Sequence, residues 1–350
     1  MTQTVTMFAA TMFAATVRQY GGPDVIRIER LALPAVRAGE VRVRVHASPI
    51  TAGDVRLRSA VVPRGFGLLI RAANGFSGPR SPVPGMGFAG VIDAVAPDVG
   101  AFAVGERVFG SKGFGGGAHA EYLTIAASGC VLPLPASLSF EEGAAFFFGG
   151  PTAADFLIDK ARMERGEHLA VIGATGSVGT AALSIAKHLG VTVTAVASKE
   201  NHPLARSLGA ETVLDYRTET LEGRFDGILD VMGSIARKRA LTLLRPGGRL
   251  MPVTSTLIEN LGAALRPRRG LVWITGSTTA DTREKMERLV ALHHAGGYRP
   301  VVGETMAFEE IGDAHQIAET WHKQGNLIVR MVAPAGGAAR ASRMDPAPAE

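Results

Sequence analysis

The chain has 350 residues, room for two ordinary domains, and 46% apolar residues give each of them a core. No apolar run approaches the roughly 18 residues of a membrane-spanning helix, and a single cysteine, Cys130, excludes an intramolecular disulfide and any multi-cysteine zinc site. The net charge of +5 comes from scattered Lys and Arg, with "RPRR" at 266–269 the one tight cluster; low aromatic content and no recognisable module speak against nucleic acid as a partner.

The N-terminus lacks a basic region ahead of an apolar one, so it does not read as a secretory signal and the cytoplasm is the expected compartment. "TMFAATMFAAT" (6–16) repeats five residues in tandem, too short a period for a structural repeat. Only its second copy leads into "VRQYGGPDVIRIE", so the first ten residues read as a frayed extension. Strand patterns follow to about residue 136. "EVRVRVHA" (40–47) alternates valine with Arg and His, the period of a half-buried strand, and "GVIDAVA", "GERVFGS" and "AHAEYLTI" are short strand-like runs. Between them, residues 61–84 are rich in Gly and Pro, and are expected to form a long loop with one helical turn, the kind that serves as a lid.

At "SLSFEEGAAFF" a helix is expected, with Ser137 or Ser139 as N-cap and Glu141 and Glu142 in its first turn. Strand and helix patterns then alternate from "HLAVIGA" to "LVWITGS", which calls for a parallel sheet with helices on both faces. The expected organisation is a β-rich unit formed by residues 1–136 and 279–333, and a doubly wound nucleotide-binding unit at 137–278. The last 17 residues (334–350) are Ala, Gly and Pro without period and are expected to be disordered.

In "VIGATGSVGTAALSIAKHLG", Gly173, Gly176 and Gly179 are spaced GxxGxxG rather than the usual GxGxxG. Context strengthens the signal: "LAVIG" is a buried-strand run, and Val178, Ala182, Ile185 and Leu189 form a helical stripe. A diphosphate over a first helix turn meets free N–H groups and the positive end of the dipole, and glycine lets the backbone approach it. NAD binders place Asp or Glu some 20 residues further on, to accept the ribose 2′-OH. Here "TVTAVA" (192–197) is followed by Ser198 and Lys199, and no carboxylate occurs before Glu200. Hydroxyl and ammonium donors suit a 2′-phosphate, which favours NADPH over NADH. A solvated Lys199 without a ligand is the alternative.

A catalytic zinc needs three protein ligands and one open position. Cys130 stands alone, and His46 and His119 show no ligand spacing. There is also no GxSxG nucleophile motif. Hydride transfer without a metal is the chemistry left.

Over residues 12–332 the chain resembles the zinc-free quinone oxidoreductase branch of the medium-chain dehydrogenase/reductase superfamily. The motifs that carry the likeness include "YGGPDVIRI", "SPITAGDVRLRS", "VPGMGFAGVIDAV", "VGERVFG", "LPASLSFEEGAA", "GPTAADFL", "GATGSVGTAA", "SLGAETVLDY" and "LLRPGGRL". The resemblance implies an α/β architecture: a GroES-like β-rich catalytic domain, joined by the C-terminal segment, plus a Rossmann domain, with the cofactor between them. Zinc-dependent relatives have cysteine at the position of Thr51 and glycine-His-Glu where this chain has Gly85-Met86-Gly87.

The resemblance also assigns residues. Thr152 and Thr254 go to the nicotinamide side, Ala174, Thr175, Gly176, Ser177 and Val178 to the diphosphate, and Ser198, Lys199 and Tyr216 to the adenosine 2′-phosphate. Met232 is placed on the adenosine side, Asn326 at the cleft and Thr51 in the acceptor pocket. Many relatives have asparagine at Thr51 and leucine at Pro151. The implied activity is NADPH-dependent hydride transfer to a quinone or α,β-unsaturated carbonyl, with enoyl or carbonyl reduction in a biosynthetic pathway as the rival. A non-catalytic NADPH-binding role is a further alternative. No residue reads as the proton donor. "LVWITGS" resembles a strand that relatives pair across a dimer, so a homodimer is expected.

Overall fold

The computed structural model describes residues 10–256, 272–273 and 282–331. Strand β1 (Thr11–Thr16) is the second copy of the tandem repeat and pairs antiparallel with β2 (Arg27–Ala32). The first copy, but for Ala10, and the C-terminal 334–350 lie outside the described residues.

A seven-stranded sheet is built around β3 (Glu40–Ile50) and β4 (Gly87–Val95). The alternation in β3 is as expected, with Val41, Val43 and Val45 fully buried and Arg42 facing outward to pair with Asp93. Strands β5 (Arg107–Ser111), β6 (Tyr122–Ala126) and β7 (Val131–Pro133) extend it. On the other side the sheet takes in strands from far along the chain, described below.

The second half alternates as its sequence predicts. Strands β8 (His168–Ile172), β9 (Thr192–Ala197), β10 (Thr212–Asp215), β11 (Phe225–Asp230), β12 (Leu244–Pro252) and β13 (Val272–Trp273) form one parallel sheet, in the order β10-β9-β8-β11-β12-β13. This is the doubly wound order in which ligands occupy the crevice where β8 and β11 diverge, beyond the carboxyl ends of the strands. Most of "LVWITGS", apart from β13, lies outside the described residues. The remaining strands, β14 (Val302–Ala307) and β15 (Asn326–Arg330), return to the first sheet, where Leu327 pairs with Ile50.

Helix α1 (Ala52–Ser59) follows β3, and α2 (Gly67–Asn74) lies inside the expected loop. The single turn expected there is two turns: "LLIRAA" holds good helix formers, in a run too short to display a period. Ser139, not Ser137, caps α3 (Phe140–Ala145), in a capping box with Glu142. This helix packs on β3 and β4 of the seven-stranded sheet, although its sequence falls within the span expected for the nucleotide-binding unit. Next come α4 (Gly149–Ala154) and a π-helical turn, Asp155–Lys160, which no sequence signal announced. The other helices are α5 (Ser177–Leu189), α6 (His202–Ser207), α7 (Arg237–Leu243), α8 (Arg283–His294) and α9 (Ile311–Glu319). One core cluster runs from Ala47 and Phe109 through Phe146 and Phe156 to Val171, so the two sheets share buried contacts.

Candidate active site

The three glycines after β8 do three different jobs. Gly173 has φ +78, open to glycine at little cost, and a Cβ there would meet Met232 Cγ at 2.8 Å. At Gly179 a Cβ would run into the Gly173 carbonyl oxygen, so this glycine lets α5 close onto the turn. Gly176 has an ordinary φ of −79, and a Cβ on it would meet only the Gly173 oxygen, at 3.9 Å. Its face is therefore open. No side chain caps α5, so N–H groups of its first turn are left to whatever occupies that face. Ala174, Thr175, Val178 and Gly179 are buried behind the turn, while Gly173, Gly176 and Ser177 remain reachable. These residues fit a diphosphate: an uncapped helix start, an open glycine, and no acid on the turn.

Beyond the carboxyl end of the neighbouring strand, β9 runs out at Ala197 and Ser198 is half-buried. Lys199 is exposed, and Tyr216, just past β10, sends its N–H to the Ala197 carbonyl at 3.4 Å. The structure adds Arg217, which the sequence reading missed although it directly follows "LDY". Its guanidinium lies 5.4 Å from the centre of the Tyr216 ring and pairs with Glu200 at 2.7 Å. The backbone N–H of Glu200 itself, the Arg217 guanidinium and the Ser198 hydroxyl hold the Glu200 carboxyl down at about 2. Met232 is half-exposed and covers Gly173. Behind it, buried Asp230 accepts N–H bonds from Met232, Gly233 and Ile235, which fixes the turn after β11.

The opposite end of the crevice is bounded by α4, α1 and the end of β12. Phe148, ahead of α4, adopts φ +72 and ψ −65, and the Gly149 N–H closes a γ-turn onto the Phe147 carbonyl at 3.0 Å. This conformation is strained for a non-glycine residue. It seats Gly149 so closely on Ser177 that a Cβ would clash, and it places Thr152 with its hydroxyl on the Phe148 carbonyl at 2.5 Å. Across the crevice, the Thr254 hydroxyl accepts a hydrogen bond from Arg56 of α1 at 3.2 Å.

Thr51 is buried and caps α1. Its hydroxyl donates to Asp54 at 2.6 Å and accepts the Asp54 N–H at 3.2 Å. The hydroxyl proton is thus already committed to a buried carboxylate, because Thr51, which the resemblance assigns to the acceptor pocket, also starts the helix. Behind Thr51 lies a polar cluster in which Arg58, His119 and His315 are buried while Glu319 and Lys323 are half-buried. His119 stacks edge-on to His315 at 5.7 Å, Arg58 pairs with Glu319, and Lys323 donates to the Ile50 carbonyl at 2.9 Å. Burial holds both imidazoles below their usual range and brings Lys323 down to about 8.

Asn326 sits at the junction of the two sheets. Its Oδ1 accepts the Ser177 hydroxyl at 2.6 Å, its amide donates to the Val301 carbonyl at 3.0 Å, and the Gly325 N–H reaches the Thr175 carbonyl at 2.8 Å. The structure thus gathers Gly173 to Gly179, Ser198, Lys199, Tyr216, Met232, Thr254 and Asn326 along one crevice margin.

The donor set does not suit zinc. Thr51 faces the Met86 thioether at 3.9 Å, a tied hydroxyl beside a weak sulfur donor. Among the described residues no three His, Cys, Asp or Glu side chains are grouped to hold a metal, and no helix is long and apolar enough to cross a membrane. His46 stacks on Phe140, and Cys130 is a buried thiol.

Comparison with known proteins agrees with this architecture. An alcohol dehydrogenase GroES-like domain model matches residues 37–136, and a zinc-binding dehydrogenase model matches residues 208–329. Human quinone oxidoreductase is 30% identical over 321 residues, spanning 87% of this chain and 93% of that protein. The structure of the quinone oxidoreductase from Coxiella burnetii superposes with a TM-score of 0.79 at 24% identity, covering 92% of this chain and all of that one. The CurK enoyl reductase superposes at 0.78 with 21% identity, over 92% and 99% of the two chains, and shares the fold. The chain is an oxidoreductase and belongs to the quinone oxidoreductase-like branch of the medium-chain dehydrogenase/reductase superfamily.

Proposed function

We propose that this oxidoreductase uses NADPH to reduce a quinone or an α,β-unsaturated carbonyl, without a metal. The observation that carries the reading is the crevice margin itself: an uncapped α5 behind the open face of Gly176, ending at Ser198 and Lys199 where an NAD site would carry a carboxylate. When bound, the dinucleotide supplies a hydride from its nicotinamide ring. The chain's residues do the holding. First-turn N–H groups of α5 receive the diphosphate, Ser198, Lys199 and Tyr216 surround the 2′-phosphate, and Thr152 and Thr254 flank the reacting ring. Thr51 lines the acceptor side, where its bond to Asp54 fixes its orientation.

The human quinone oxidoreductase relative supports this acceptor class, and the donor set at Thr51 and Met86 supports the metal-free route. The proposed units are residues 1–136 with 279–333, and 137–278, in a homodimer. The reading is tested by steady-state rates with a quinone, an enone and an aldehyde at fixed NADPH. Turnover of the quinone or the enone is expected; activity confined to aldehydes contradicts it.

A further inference from the structure

Arg56 and Arg58 lie on the same short helix, two residues apart and therefore on opposite faces. Their surroundings differ in kind. Arg58 is turned into the core and pairs with Glu319. Arg56 is turned to the crevice, where its partner is a neutral one, the Thr254 hydroxyl. No carboxylate pairs with Arg56 among the described residues, and burial weakens its hold on its proton. A guanidinium stays charged under these conditions and carries five N–H donors, of which Thr254 takes one. The Nε and Nη1 atoms of Arg56 are not sealed in protein as those of Arg58 are, so they remain open to an incoming group. Keeping a cation half out of water with no counter-charge costs stability unless an anion arrives.

The same guanidinium joins the two halves of the crevice. It reaches from α1, whose N-cap is Thr51, to Thr254, just beyond β12. A group bridged by these residues lies between the proposed acceptor wall and the proposed nicotinamide side. The rest of this inference depends on the hydride-transfer reading for that placement.

We propose that Arg56 holds an oxygen anion of the acceptor beside the reacting ring. Two sources share this chemistry: a carboxylate that the acceptor already carries, and the carbonyl oxygen that gains charge as hydride arrives. For an enone, hydride adds to the β-carbon and the C=C pair moves to join the α-carbon to the carbonyl carbon. The carbonyl pair then settles on oxygen as an enolate, and a proton from water completes the α-carbon. NADPH leaves as NADP⁺. A bidentate guanidinium stabilises the oxygen in either case, and the effect is large because the crevice is partly desolvated.

The test compares wild type, Arg56→Gln and Arg56→Lys on 3-benzoylacrylate and its methyl ester, the same enone with and without a carboxylate. Calorimetric titration of 3-benzoylpropionate into enzyme loaded with NADP⁺ reads binding without turnover. A permanent-carboxylate site predicts that Arg56→Gln raises KM for the acid at least tenfold more than for the ester. The Kd of 3-benzoylpropionate weakens in step. A developing-oxyanion site predicts a kcat at least tenfold lower for acid and ester alike, partly restored in Arg56→Lys. Values within twofold of wild type on both acceptors, with an unchanged Kd, overturn the proposal. If wild type reduces neither acceptor, the hydride-transfer reading for this acceptor class fails. The calorimetric arm then decides Arg56 alone: binding that Arg56→Gln weakens tenfold supports it, and absent or unaffected binding overturns it.

Discussion

The Ser177 hydroxyl donates to Asn326 Oδ1 at 2.6 Å, tying the first residue of the helix behind the glycine turn to the first residue of β15 in the other sheet. The bond spans 149 residues of sequence and holds the helix start where a diphosphate would meet it. Asn326→Ala is expected to cost about 2 kcal/mol in urea unfolding, the worth of its two side-chain hydrogen bonds, to Ser177 and to the Val301 carbonyl. Asn326→Asp puts a carboxylate beside the anion site and is expected to weaken NADPH at least tenfold in a fluorescence titration. Unchanged affinity in Asn326→Asp would separate this junction from the cofactor.

Gly176 and Gly179 should fail in opposite ways. Gly176→Ala has an allowed φ and open space, so its melting temperature is expected to match wild type while NADPH affinity drops tenfold or more. Gly179→Ala drives a methyl into the backbone of the turn, and is expected to lose about 1–3 kcal/mol of stability. Thermal melts beside cofactor titrations of both variants check the contrast. A Gly176→Ala protein that binds like wild type removes the open face from the account.

Glu200 sits beside Lys199 and occupies Arg217. Because its carboxyl is held at about 2, it is charged throughout the working pH range and opposes a 2′-phosphate. Glu200→Gln frees Arg217, so NADPH is expected to bind severalfold tighter with NADH little changed. Equal tightening of both would place Glu200 away from the 2′-phosphate.

His315 carries both ring nitrogens without a hydrogen-bond partner and is held neutral by burial, with His119 and Arg58 adding to the effect. Above pH 6.5 the imidazole is neutral folded or unfolded. As the pH falls below 6.5 the unfolded chain binds a proton there that the folded chain does not, so stability is lost on acidification. His119 acts in the same direction. Urea midpoints of wild type are expected to fall between pH 7 and 5 more steeply than those of His315→Phe; parallel slopes would contradict this.

Local patterns made much of this legible. The alternation of β3, the buried stripe of α5 and the glycine turn each follow from a few neighbouring residues, and all three are where the sequence puts them. What escaped is what distance creates. Arg56 meets Thr254 across 198 residues, and the capping of α1 by Thr51 reveals that its hydroxyl is tied to Asp54 only once the helix exists. Arg217 gives no signal in the sequence because its partner, Glu200, is brought beside it only by the pairing of β9 with β10. The helix in residues 67–74 was too short to show a period.

The most direct test is a paired titration of NADPH and NADH by nicotinamide fluorescence, on wild type and Lys199→Glu. The account predicts that wild type binds NADPH at least tenfold more tightly than NADH, and that Lys199→Glu abolishes the difference by weakening NADPH alone. Equal affinities in wild type, or equal losses for both dinucleotides in the variant, would contradict it.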